Sequence, residues 1–254
     1  MATREASIPV PKRGYSKMGL RKQTKETYEE EAKIYDKTRT IFEKGRFAYR
    51  ERKLLFEFLE RKSLVLFIAC GTGRHFKFVL NQLGSEVVGI DISVNMIKFA
   101  KKKVSNIART KQNVHLIVAD VENLPFRGNM FDAVVCSRAF YLFDDKFRVL
   151  QEAHDVLKKG KKLMISTIFM DLLLTRLGIR IGALSRDPQQ YPYTSRQLAE
   201  MFGKAHFKNM QRRCIVSFTG DASHIPSLIL RIIQTIEDRL HGGRWAMVIG
   251  EKAE

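Results

Sequence analysis

A chain of 254 residues with 44% hydrophobic side chains can bury the core of one large α/β domain, which excludes wholesale disorder. Its 45 Lys and Arg against 27 Asp and Glu give a formal charge of +18, which selects anionic partners (nucleic acid, an acidic membrane surface, a phosphorylated substrate) or only a Lys-rich soluble surface. Three scattered cysteines, Cys70, Cys136 and Cys214, exclude a disulfide framework and a CxxC zinc site, so no metal centre is expected. No apolar run reaches the ~18 residues of a membrane span. The first residues lack the apolar core of a secretory signal, and a cytoplasmic location is expected.

Residues 1–23, with Pro9, Pro11, Gly14 and Gly19 among Lys and Arg, read as a basic flexible tail. A helical pattern follows from Thr24, with Tyr28, Ala32 and Tyr35 roughly on one face. A second helix, Phe47 to Glu60, places Leu54, Leu55, Phe58 and Leu59 on a core-facing stripe. Strands and helices then alternate. Strand Leu64–Ala69 leads to helix Arg74–Leu83, ended by Gly84. Strand Glu86–Ile90 leads to helix Val94–Ala108, with Ser93 as its N-cap. Strand Val114–Val118 and a turn at Asn123-Leu124-Pro125 precede strand Phe131–Ser137. Helix Lys146–Leu157 ends at a Lys-rich run around Gly160, and strand Lys162–Ile168 follows. Such repeated units predict a doubly wound, mostly parallel sheet with helices on both faces.

Past Phe169 the rhythm changes. Segments of about 170–193 and 220–243 are expected as cap or lid insertions in a single domain spanning 24–254. Between them stand helix Arg196–Ala205, N-capped by Ser195, and strand Lys208–Val216. Trp245–Ile249 is the last strand, and Ile225–Leu240 carries apolar residues at helical spacing.

The stretch Leu64 to His75 concentrates the chemistry. An apolar strand turns abruptly into Cys70-Gly71-Thr72-Gly73, and a helix start offers N–H groups to an anionic group. Gly71 and Gly73 remove side chains where a ligand approaches the backbone. Asp91 stands twenty positions past Gly71, at the end of the next apolar run. That pairing points to a nucleoside-bearing ligand whose ribose hydroxyls meet a carboxylate. Asp120 and Ser137-Arg138 close the third and fourth strands, so separate loops converge on one sheet edge. Phe76 stands where a dinucleotide fingerprint needs its third glycine, and no Gly-Lys-Ser/Thr forms a P-loop.

From Tyr28 onward the chain resembles the class I S-adenosylmethionine-dependent methyltransferases, in particular the ubiquinone/menaquinone-biosynthesis (methyltransferase type 11) group. The stretches that carry this are Ala69–His75, Val88–Ser93 with Met96, Ala119–Phe126, Phe131–Val135, and Glu152-Ala153 through Gly160. The resemblance implies a seven-stranded Rossmann-like sheet with an antiparallel last strand. It implies S-adenosylmethionine as cofactor, held by Ala69, Gly71, Thr72 and Gly73 under its methionine and ribose. Asp91 would meet the ribose hydroxyls, Ile92 and Met96 the adenine faces, and Asp120 and Val121 the adenine edge. Ser137 would border the donor methyl and Tyr35 would close over the methionine end.

The resemblance departs at two positions. Phe67 stands where the family usually has an acid that organises the loop and the ammonium end, and Ala69 replaces a glycine. On the acceptor side Arg138, Tyr141 and Asp144 are candidates, Arg138 for an anionic acceptor. A small-molecule, lipid or quinone-like acceptor is expected, with peripheral membrane contact allowed by the charge. The alternatives are a nucleic-acid acceptor, drawn by the basic segment Lys98, Lys101, Lys102, Lys103, Arg109 and Lys111, and a non-catalytic cofactor-binding protein, motivated by Phe67.

Overall fold

The computed structural model of the chain describes residues 20–38, 45–106, 113–169, 193–216 and 245–253. The strands among them are β1 (Leu64–Ile68), β2 (Glu86–Asp91), β3 (Val114–Val118), β4 (Phe131–Ser137), β5 (Leu157–Ile168), β6 (Phe207–Val216) and β7 (Trp245–Lys252). They form one sheet in the order β3-β2-β1-β4-β5-β7-β6. Neighbours from β3 to β5 are parallel, and β7 runs antiparallel between β5 and β6. The helices are α1 (Leu20–Glu31), α2 (Tyr35–Thr38), α3 (Gly45–Phe58), α4 (Phe76–Phe78), α5 (Val94–Ser105), α6 (Lys146–Val156) and α7 (Ser195–Lys204). None of the described helices is long and apolar enough to cross a membrane.

Side-chain alternation along β1 splits the core into two layers. Val65 and Phe67 point to one face, where Val135 and Met164 meet Leu55 of α3 and Phe76 of α4. Leu66 and Ile68 point to the other, where Val134 and Ile165 meet Leu150 of α6 and Phe202 of α7. A strand covered on both faces has to be apolar, which is why β1 reads as an unbroken hydrophobic run and β4 as one from Ala133 to Cys136.

Several boundaries differ from the sequence expectation, each for a local reason. Helix α1 begins at Leu20 rather than Thr24, because the Arg21 N–H in its first turn donates to the Asp144 carboxylate at 3.1 Å. The expected tail of 1–23 is thus shortened, and residues 1–19 lie outside the described ones. Residues 73–75 form a turn instead of helix, since Phe76 N–H donates to the Gly73 carbonyl. Helix α4 therefore starts at Phe76 and continues as a π-turn, Val79–Leu83. Gly84 ends it in the left-handed conformation, as its position predicts. Strand β5 begins at Leu157, not Lys162: Phe131 pairs with Leu157 and Ala133 with Lys162, so the Lys-rich run bulges out with Gly160 at φ +69°. The cap of α7 is Thr194, not Ser195: Thr194 accepts from Gln197 N–H and Gln197 returns to Thr194, a capping box. Ser93 does cap α5, accepting from the Met96 N–H. Residues 107–112, 170–192 and 217–244 lie outside the described ones, and with them the expected caps and the helix 225–240.

Candidate active site

Strand order reverses between β1 and β4, and the carboxyl ends of these strands open an α/β sheet to ligands. An open cleft lies there, at the strand ends where small-molecule sites of such sheets are found. Its wall brings together Tyr35, Ala69, Gly71, Asp91, Ile92, Met96, Asp120, Val121 and Ser137, all anticipated from the sequence. A smaller cavity adjoins it, with Tyr35, Ala69, Gly71 and Ser137 common to both. Thr72 lines only the smaller one, and Gly73 lines neither.

Asp91 ends β2 with both oxygens engaged. Its Oδ2 accepts the Gly71 N–H at 2.8 Å and its Oδ1 accepts the Ser93 N–H at 2.9 Å. A carboxylate accepts about four hydrogen bonds, and the Ile92 N–H draws on this one as well, so only part of its accepting capacity is left for the cavity. Burial raises the Asp91 carboxyl to about 6, against the pull of the Ser93 and Gly71 N–H groups, with the charge of Glu29 adding to the rise. A cis-diol supplies what such a group lacks. Gly71, at φ +55°, would aim a Cβ at open space, so nothing of the protein comes between its backbone and a ligand. Ile92 and Met96 add apolar surface beside Asp91. These features fit a nucleoside.

Gly73 is required for another reason. A Cβ there would lie 2.5 Å from the Phe76 ring, and its φ is +72°. Gly89 on β2 faces the same ring, with a Cβ at 2.6 Å from it. Phe76 is 1% exposed and wedges the loop against the sheet. Ala69 has φ +48°, so the alanine in the family's glycine position stores about 1–2 kcal/mol of backbone strain. Phe67 is buried and stacks on the His75 ring with centroids 6.1 Å apart.

Sequence reading missed the cover. Helix α1 contributes Arg21, Thr24 and Tyr28 to the cavity wall, in part from what reads as a tail. The Arg21 guanidinium pairs with the Asp120 carboxylate, the group expected to meet adenine. Glu29 accepts from Ser93 Oγ and from the Val94 and Asn95 N–H groups, so α1 is tied to the positive end of α5. On α2, Asp36 accepts Thr72 Oγ1 at 2.7 Å and pairs with Lys103 at 2.7 Å. The Tyr28 and Tyr35 rings meet edge-on at 6.0 Å. Arg21→Ala releases Asp120 and is expected to tighten adenosine binding about two- to fivefold, the span open to a half-exposed ion pair. Calorimetry checks this; weaker binding would make Arg21 a ligand contact instead of a competitor.

Of the acceptor-side candidates, Asp144 and Arg138 line the cavity and Tyr141 does not; Tyr141 packs between the two core layers. Asp144 already accepts the Arg21 N–H. Arg138, at φ +59°, lies over the Phe47 ring at 5.3 Å and its Nε is 3.8 Å from Glu51. Ala139, Leu142 and Phe143 make this end of the cavity apolar. His75 lines the smaller cavity, while Glu51, which lines neither, was missed as a site residue. The signal for Glu51 was present: it sits four positions before Leu55, on the apolar stripe of α3.

The sequence profile of a family described as a methyltransferase domain matches residues 66–165. The ubiquinone/menaquinone biosynthesis C-methyltransferase UbiE of Wigglesworthia glossinidia brevipalpis is 38% identical over 104 residues, 40% of this chain and 41% of that protein. A demethylmenaquinone methyltransferase of Lactiplantibacillus plantarum is 30% identical over 199 residues, 69% of this chain and 84% of that protein. The chain spans under half the length of several of the curated relatives that it matches. Among solved structures, a SAM-dependent methyltransferase of Thermotoga maritima, described as a possible histamine N-methyltransferase, superposes with a TM-score of 0.63. It is 21% identical, and the match covers 89% of this chain and 99% of that one.

Proposed function

The chain belongs to the class I S-adenosylmethionine-dependent methyltransferases, and we propose that it transfers a methyl group from S-adenosylmethionine to a small, largely apolar acceptor of the lipid or quinone-precursor kind. The observation that carries the reading is Asp91, a buried carboxylate that lines the cavity at the β1/β4 switch point and keeps accepting capacity beyond its backbone partners. S-adenosylmethionine supplies an electrophilic methyl on a sulfonium, open to in-line displacement. The protein's part is to bind and orient. Asp91 holds the ribose hydroxyls, Asp120 accepts from the adenine amine once Arg21 withdraws, and Ile92 and Met96 pack on the ring. Val121 supplies the backbone edge, Gly71 gives close approach, and Tyr35 and Ser137 flank the methionine end. Proximity and alignment of this kind are worth ~7–11 kcal/mol of barrier.

Charge supports the same reading. In a chain of +18, this cavity is lined by Asp91, Asp120, Glu122 and Asp144 against Arg21 and Arg138. Such a wall suits a cationic cofactor. The apolar end formed by Ala139, Leu142 and Phe143 suits an uncharged acceptor. The named relatives that act in quinone biosynthesis support that class of acceptor. A nucleic-acid acceptor draws less support, because Lys103 of the basic segment is already spent on Asp36 and Thr72.

The test is to incubate the protein and methyl-labelled S-adenosylmethionine with a cell extract and then partition the products. Label in the organic phase is expected. Label confined to nucleic acid would overturn the acceptor class, and no label beside tight cofactor binding would make the protein a binder alone.

A further inference from the structure

Glu51 is the most deeply placed charge in the described structure that the reading above leaves without a task. Its side chain is 0% exposed. A bare buried carboxylate costs several kcal/mol, so its surroundings have to compensate it. Those surroundings come from three other parts of the chain. Glu51 Oε1 accepts Ser137 Oγ at 2.8 Å from the end of β4 and Ser166 Oγ at 2.6 Å from β5. His75 Nε2 lies 3.5 Å from Oε2 and 3.1 Å from Ser137 Oγ. The Arg138 guanidinium is drawn to the same oxygen at 3.8 Å. Burial pushes the Glu51 carboxyl up, but His75, Ser166 and Arg74 outweigh it and hold the group below the usual carboxylate range. It is ionised.

Side-chain parity explains why this acid can act at the cavity. Phe67, Ser137 and Ser166 point to the same face of the sheet, the one that α3 covers. Phe67 puts a ring on that face, stacked on His75. Glu51 reaches it from the helix above. Ser137 spends its hydrogen on Glu51, and His75 then donates its Nε2–H to Ser137. The remaining lone pair of Ser137 is then free for the two cavities it lines. The same carboxylate offsets the charge of Arg138, which lines the cavity. We propose that Glu51 is the positioning acid of this site, supplying from α3 the negative charge that β1 lacks at Phe67 and so adapting the wall to the cationic, methionine-derived end of the cofactor. The proposal rests on the reading that the cavity takes S-adenosylmethionine.

The experiment is calorimetry of Glu51→Gln with two probes, S-adenosylmethionine and adenosine. The neutral amide removes the charge and lets Ser137 turn its hydrogen outward. S-adenosylmethionine is expected to bind about tenfold more weakly, while adenosine, held at Asp91, changes by less than about twofold; each tenfold step corresponds to 1.4 kcal/mol. Equal loss for both probes would reduce Glu51 to a structural role, and no loss for either would remove it from the site. If Glu51→Gln lacks a cooperative melting transition, Ser166→Ala decides. It deletes one anchor of Glu51 that lines neither cavity, and the same selectivity at about threefold is expected; an unselective response overturns the proposal. Wild-type protein that binds adenosine but not S-adenosylmethionine would overturn the functional reading itself, and this inference with it.

Discussion

Asp91→Asn is expected to weaken S-adenosylmethionine binding about a hundredfold, the worth of roughly two charge-assisted hydrogen bonds at ~1.5 kcal/mol each. The substitution keeps the size of the side chain and removes its charge. It also breaks the symmetry by which one oxygen serves Gly71 and the other Ser93. The pH dependence separates charge from shape. The Asp91 carboxyl lies at about 6 in the folded chain against an ordinary 3.8. A raised acid stabilises the fold while protonated. That contribution is complete below the ordinary value and is lost as pH rises through about 6, leaving the ionised group costing about 3 kcal/mol. Ribose hydroxyls relieve this cost only for the ionised form. Wild-type affinity is therefore expected to fall up to about tenfold between roughly pH 8 and pH 5, as the ionised fraction drops to about a tenth. Asp91→Asn is expected to be flat over that span. A wild-type profile equally flat would mean that Asp91 is not the ribose acceptor.

Phe76→Ala is expected to cost about 3–5 kcal/mol and to lower the melting temperature by roughly 10 °C. The ring is 1% exposed, meets Phe67 edge-on at 5.5 Å, and fills the space that Gly73 and Gly89 leave open on two sides. Calorimetric melting of the unliganded protein checks the figure. A loss under about 1 kcal/mol would show that the loop is held by its own hydrogen bonds rather than by the wedge. The reverse change, Gly89→Val, meets Phe76, Leu116 and Cys70 together and serves as an overpacking control.

What was legible in the sequence follows from where the physics is local. β4 matches its predicted bounds because a largely apolar run between turn residues has few other ways to be buried, and the edge strand β3 matches its own through in-register pairing with β2. Asp91 and Asp120 were legible because strand ends in a parallel sheet share an edge. Gly73 was legible as a necessary glycine but not for its reason, since only the fold brings Phe76 beneath it. Glu51 was half legible: its spacing from Leu55 marks it as facing the core, but not what it meets there, because its partners lie 24 to 115 residues away. Arg21 was hidden inside a stretch whose composition reads as a tail; the contact that orders it, Asp144, is 123 residues off. The strain at Ala69 is invisible without its φ.

The fastening of α1 and α2 has a kinetic consequence. Arg21 on Asp120, Glu29 on the start of α5, and Asp36 on Thr72 and Lys103 bridge the cavity like three ionic buttons on one flap. Lifting that flap uncouples Asp120 and widens the mouth by which S-adenosylmethionine and its demethylated product would pass. Screening loosens each button, so turnover at saturating substrate would climb with ionic strength.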